Sequence, residues 1–315
     1  MMNTHSFPGL KRLLLMSLLA GYACLAQSEY SRSYMDAQPM ASVSTDGVKI
    51  AYRVIGPVDA ETAVLVMGLG ASHTLWGDDF VLGIIAAGYR VVLIDNRDTG
   101  NSIKYPAEDN PVLWWQLLKY QIGLGVSTTY QLGDMAGDVI NVMDALEIDK
   151  AHVIGASMGG MIAQIIAAEF PQRSQTLVSI MSTTGAEHLP QPGRQSTDAI
   201  RDMADADSDD TTAKRTEFMK KMGFHPEAIP RQMMAILKAG DRSESIKTIT
   251  TPTLVIHGRD DQLLSAEHGQ HTAELIRDSK LVIYEGMGHN LPEAVLPGIL
   301  GEIGDHLAAH PIAQP

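Results

Sequence analysis

The chain has 315 residues, 45% of them hydrophobic and 19% charged, which suits one large globular core and excludes a disordered or fibrous chain. Its 37 acidic and 24 basic residues leave a net charge of −13, with no Lys/Arg cluster larger than a pair. That balance argues against a nucleic-acid partner, which needs a basic face to release counterions.

Residues 1–26 have the order of a signal peptide: Lys11 and Arg12, an apolar run from Leu13 to Ala20, then small residues including Ala23 and Ala26. The run is too short to span a bilayer, which needs about 20 apolar residues. The single cysteine, Cys24, ends this stretch, so the mature domain is expected to have no disulfide. Two fates stay open: plain cleavage near Ala23 or Ala26, and a lipid anchor at Cys24. Either implies an exported protein, periplasmic or extracellular.

Residues 43–47 and 49–55 flank an Asp46-Gly47 turn signal and read as an antiparallel hairpin. Short apolar runs then recur at 63–67, 89–94, 151–154, 177–180, 253–256 and 280–284. Continuous runs of this length suit strands buried on both faces, as in a parallel sheet. Helical spacing of apolar residues at 132–146, 160–169, 265–276 and 297–309 separates or follows them. Strand and helix alternation predicts a doubly wound α/β sheet with helices on both faces. Two stretches break it, 102–129 and 184–247, and the second reads as a helical cap inserted between core segments 43–183 and 248–310. Both are expected over the carboxyl edge of the sheet, where ligands bind.

Gly155-Ala156-Ser157-Met158-Gly159 follows one strand and opens a helix. A sharp strand-to-helix turn exposes its serine as a nucleophile, and only glycine fits beside it because a side chain there would strike backbone. Without that context the same residues would read as a serine helix cap. A nucleophilic serine needs a base, and the base an orienting acid. His289, in Gly286-Met287-Gly288-His289, and Asp261, in His257-Gly258-Arg259-Asp260-Asp261, each follow a strand, with Asp260 kept as the alternative acid. His257 precedes the carboxylate in its own loop and is expected to brace that turn. Two N–H donors are expected to face the developing oxyanion: Met158, at a helix start where N–H groups lack intrahelical partners, and Leu69, in the loop Met67-Gly68-Leu69-Gly70.

Over residues 43–307 the chain resembles a bacterial α/β-hydrolase family related to the aclacinomycin and rhodomycin methylesterases. The resemblance is carried by Val66-Met67-Gly68-Leu69-Gly70, Asp95-Asn96-Arg97-Asp98-Thr99-Gly100-Asn101-Ser102, Gly155-Ala156-Ser157-Met158-Gly159-Gly160 and Gly286-Met287-Gly288-His289. It implies Ser157, Asp261 and His289 as a triad, with Met67 departing from the His-Gly opening common at oxyanion loops. The activity implied is hydrolysis of a carboxylic ester of a small or medium apolar substrate through an acyl-enzyme, without metal or organic cofactor. Lactones, thioesters and some carbon–carbon bonds yield to the same triad, and a non-catalytic ligand-binding homologue is the alternative of a different class.

Other patterns compete less well. Gly68-x-Gly70 with Asp95 after the next strand begins a dinucleotide fingerprint, but His73 stands where its third glycine belongs. Asp205-x-Asp207-x-Asp209 begins a calcium loop, yet Asp210 and Thr216 replace the needed Gly and Glu. His268-x-x-His271 has helical spacing for a metal pair but lacks a third ligand, and is expected on an exposed face. Trp76, Trp114 and Trp115 are candidates to line the substrate pocket, with ordinary packing the competing role.

Overall fold

The computed structural model describes residues 33–106, 108, 110–193, 217 and 219–313. Residues 1–26 with Cys24, and the Asp205-x-Asp207-x-Asp209 pattern, lie outside the described residues.

A short helix, α1 (Ser33–Ala37), leads into the hairpin β1 (Met40–Thr45) and β2 (Val48–Ile55). Asp46 and Gly47 both take positive φ, 52° and 80°, the tight turn their sequence signals. There follow β3 (Thr62–Val66), a 3₁₀ turn (His73–Trp76), α2 (Asp78–Ala86), β4 (Arg90–Ile94), α3 (Leu113–Gln121) and α4 (Leu132–Ala145). Next come β5 (Ala151–Ala156), α5 (Met158–Glu169) and β6 (Ser174–Ile180). Beyond β6 the described elements are a 3₁₀ turn (Pro226–Ala228), α6 (Ile229–Ala239), α7 (Ser243–Ile246), β7 (Thr253–Gly258), α8 (Ala266–Leu275), β8 (Lys280–Tyr284) and α9 (Leu296–Ala308).

The eight strands form one sheet in the order β1-β2-β4-β3-β5-β6-β7-β8. β1–β2 and β2–β4 are antiparallel and every later pair is parallel, as expected from the opening hairpin and the buried runs after it. Alternate residues of β3 serve opposite cores: Val64 and Val66 pack with α4 and α5, Ala63 and Leu65 with α2 and α9. Both faces are therefore covered, and only the carboxyl edge of the sheet is left to build a site.

Two helices were not legible in the sequence. α2 has apolar residues nearly all round, so no helical stripe marks it, although Asp78 and Asp79 in its first turn suit a helix N-terminus. α3 lies inside the stretch read as irregular.

Candidate active site

β5 ends at Ala156 and α5 begins at Met158, so Ser157 alone makes the turn between strand and helix. It does so with φ 56° and ψ −120°, a conformation that costs an ordinary residue on the order of 1–3 kcal/mol. The surroundings hold it there: Ser157 N–H donates to Ile180 O (2.9 Å) and Ser182 Oγ–H donates to Ser157 O (2.8 Å). A Cβ on Gly155 would overlap the Gly159 carbonyl, and one on Gly159 the Val66 carbonyl, so the two glycines are what let the turn close.

The loops after β7 and β8 bring a carboxylate and an imidazole to this serine. His289 Nδ1–H donates to Asp261 Oδ2 (2.7 Å), which leaves Nε2 to accept from Ser157 Oγ (2.9 Å). Asp261, 3% exposed, accepts on its other oxygen from the N–H groups of Leu263 (2.8 Å) and Leu264 (2.9 Å). Burial by itself would raise its pKa; the nearby His257 and the hydrogen bond from His289 outweigh that and hold the carboxyl well below its ordinary range. Asp260 faces elsewhere and accepts from Gly286 N–H (2.9 Å), so Asp261 is the acid that reaches His289.

His257 is fully buried and its Nε2–H donates to Leu264 O (2.7 Å), 3.6 Å from Asp261 Oδ2. The turn that presents two N–H groups to Asp261 is thus itself held by this imidazole.

The loop after β3 lies against the serine: a Cβ on Gly68 would meet Ser157 Cβ at 3.0 Å. Leu69 follows Gly68 in this loop, and Met158 N–H is the first of α5, where no intrahelical acceptor exists. Gly70 N–H is committed elsewhere, donating to Gln232 Oε1 (2.7 Å). Gln232 also donates to Arg97 O (2.8 Å), and Asn96 Nδ2 donates to Met67 O (2.8 Å). These side chains fix the loop at Gly70 and at Met67.

Beside Gln232 on α6, Arg231 is buried in a bidentate pair with Asp98 (both 2.9 Å), and Tyr130 OH donates to the same carboxylate (2.6 Å). Burial and the adjacent Asp98 push the Tyr130 phenol far above its usual pKa, so it stays a donor. Arg231 also donates to Tyr105 O (2.9 Å), Pro106 O (3.1 Å) and Asn110 Oδ1. Sequence reasoning found Asn96 and Asp98 only as parts of a motif and missed Arg231 and Gln232. Nothing local marks a buried arginine in a helical insertion as the partner of an aspartate 133 positions earlier.

Trp76 is a core residue packed on Phe80 (ring centroids 4.5 Å), the packing role weighed beside the pocket one, while Trp114 and Trp115 stand 69% and 47% exposed on α3. One sequence expectation needs correction. His268 is not on an exposed face: it is buried, paired with Thr183 Oγ1 (2.7 Å) and Pro190 O (2.9 Å), because α8 turns that side onto the segment after β6. Among the described residues no group of three His, Cys, Asp or Glu side chains is arranged to hold a metal ion. Asp95, the acidic end of the dinucleotide-like pattern, instead accepts from His73 N–H (2.9 Å), His73 Nδ1–H (2.7 Å) and Asn101 N–H (2.8 Å).

Residues 64–216 match the family model described as the alpha/beta hydrolase fold. A 2-hydroxy-6-oxononadienedioate/2-hydroxy-6-oxononatrienedioate hydrolase of Cupriavidus pinatubonensis is 30% identical over 254 residues, 73% of this chain and 81% of that one. The chain belongs to the α/β-hydrolase family. Rhodomycin D methylesterase DauP of a Streptomyces species is 26% identical over 313 residues, spanning 86% of this chain and 99% of that enzyme. The crystal structure of the esterase RhEst1 from a Rhodococcus species superposes with a TM-score of 0.63 at 23% identity, covering 86% of this chain and 98% of that one. These likenesses make the protein a hydrolase by family and leave its bond and substrate to the site.

Proposed function

We propose that this α/β hydrolase is a serine carboxylesterase that cleaves an ester of a small or medium apolar substrate through an acyl-enzyme. The observation that carries this is the continuous relay Ser157–His289–Asp261, at 2.9 and 2.7 Å, built on a strained turn. His289 Nε2 takes the Ser157 proton as Oγ attacks the ester carbonyl, and Asp261 fixes the tautomer and stabilises the imidazolium. The N–H groups of Leu69 and Met158 hold the oxyanion, each lowering the barrier by about 3 kcal/mol. His289 then protonates the departing alcohol, and a water deprotonated by the same imidazole releases the acid and restores Ser157. The methylesterase relative, aligned over nearly its whole length, supports an ester as the bond.

The test is a p-nitrophenyl ester chain-length series with a lactone and a thioester beside it. Wild type is expected to prefer the esters, and Ser157→Ala to lose at least about a thousandfold in kcat with its fold intact. Full activity in Ser157→Ala, or no turnover of any ester by wild type, overturns the reading. The basic flank and apolar run of residues 1–26 support export with loss of that segment, or its retention as a lipid anchor at Cys24. The mass of the mature N-terminus from a secreting host decides between them.

A further inference from the structure

α3 and the loop after it are built with their polarity reversed. Of the ten large hydrophobic side chains exposed among the described residues, seven fall between Val112 and Leu124, whereas Tyr34, Val58 and Leu82 are scattered singly. Trp114, Trp115, Leu118, Tyr120, Ile122 and Leu124 make up most of this patch, with Leu124 68% and Ile122 59% exposed. Among the described side chains of this helix the buried one is polar: Gln116, which accepts from Ser127 N–H (3.0 Å). A helix facing water puts its apolar stripe inward, so the outer medium this one fits is not water.

Charge indicates which medium. The protein carries −13, yet from Pro111 to Gly133 it has no Asp or Glu, and the one charged side chain is Lys119. That ammonium folds back onto Gln116 Oε1 (3.3 Å) and Ser127 Oγ (3.3 Å), leaving the outer face without a committed charge. A carboxylate-free face is what an acidic protein needs to approach a phospholipid surface, whose phosphates would repel it. Paired tryptophans and a tyrosine are the side chains that settle at headgroup depth, and the nine-residue helix, about 13 Å long, lies in the plane of that layer. Leu124, between Gly123 and Gly125 at positive φ, forms an apolar tip beyond the helix end. No helix among the described residues is long and apolar enough to cross a membrane, so the contact is with its surface.

One helix links the patch to the site. α3 packs on α6, and α6 carries Gln232, which holds the oxyanion loop at Gly70. We infer that α3 docks the enzyme onto a zwitterionic lipid surface and so presents Ser157 to esters carried in that surface. The substrate part rests on the carboxylesterase reading; the docking part does not.

The test uses the full chain and phosphatidylcholine vesicles. Wild type is expected to co-sediment with them, and the emission of Trp114 and Trp115 to shift to the blue and be quenched by brominated phosphatidylcholine, while Trp76 stays buried. The triple variant Leu118→Glu/Ile122→Glu/Leu124→Glu is expected to lose at least about tenfold in vesicle affinity with an unchanged circular dichroism spectrum. Should that variant not fold, the wild-type quenching decides alone. Absent quenching, or a folded variant that binds as well as wild type, overturns the inference. So does a wild-type dimer that the variant breaks while vesicle binding is absent, because a second copy would then cover the face. Failure to cleave soluble p-nitrophenyl acetate strikes the carboxylesterase reading and leaves the docking result standing.

Discussion

The β5–α5 corner and α3 are made of similar material and treat it in opposite ways. α5 packs ten of its twelve residues away from solvent, and the Ser157 backbone at the corner is held by Ile180, Met161 and Ser182. α3 is a helix of nine residues that contains two tryptophans and exposes both. The difference is position: α5 is laid against three central strands by its connection, while α3 packs chiefly on α6 among the described elements. Apolar content gives a helix something to bury, and topology decides whether protein is available to bury it.

That contrast can be broken from its strongest side first. Arg231→Met leaves Asp98 buried without its cation and removes the donors that hold Tyr105, Pro106 and Asn110 just ahead of α3. A loss of about 3–5 kcal/mol in urea unfolding is expected, with early local opening of α3 in hydrogen exchange. If α3 stays as protected as before, Arg231 does not support it. Gly159→Ala pushes a methyl into the Val66 carbonyl and should cost about 3 kcal/mol, together with a large fall in ester turnover as the elbow shifts. Equal stability in the mutant would mean the corner is looser than its contacts indicate.

A smaller effect is expected one step from the chemistry. His257→Asn removes the donor to Leu264 O, and with it the support of the turn that caps Asp261. About a tenfold fall in kcat with little change in KM is the predicted outcome of a less well-held acid; a KM effect alone would refute the positioning role.

Acid should weaken the sheet core and spare α3. Burial, then the neighbouring His310, lowers the His306 pKa to about 4, so the folded state keeps it neutral while the unfolded chain takes up a proton near its ordinary pKa of about 6.5. The unfolded state binds more protons between those values, and stability therefore falls as pH drops from about 6.5 to about 4. Asp261 works in the same sense, at lower pH. Its depressed pKa contributes stability that is complete above the ordinary carboxylate range and is lost only as pH falls through the lower folded value. Melting temperatures from pH 7.5 to 4 should decline in wild type and decline less in His306→Gln. Local opening of α3, which carries no histidine or carboxylate, should stay constant over that range. The smallest effect belongs to α3 itself: Trp114→Ser should change stability by no more than about 0.5 kcal/mol, because the indole has little protein to leave.

Much of the site was legible because its constraints are local. A glycine-flanked serine between strand and helix, and an acid and a histidine each just past a later strand, follow from chain order once the strands are parallel and adjacent. Periodicity was enough for the sheet, since buried strands are continuous apolar runs. It was not enough for α2, which has no polar stripe to reveal it, nor for the burial of His268, which depends on what α8 packs against.

By itself the sequence determined the fold, the candidate nucleophile, the candidate base and a choice of two acids, because each depends on spacing along one strand–turn–helix unit. Tertiary structure decided that Asp261 and not Asp260 faces His289, that Gln232 takes the Gly70 N–H away from the oxyanion, and that Arg231 closes on Asp98. It also turned the tryptophans of α3 outward. These are contacts between residues far apart in the chain, and their geometry exists only once the sheet has fixed where each loop ends.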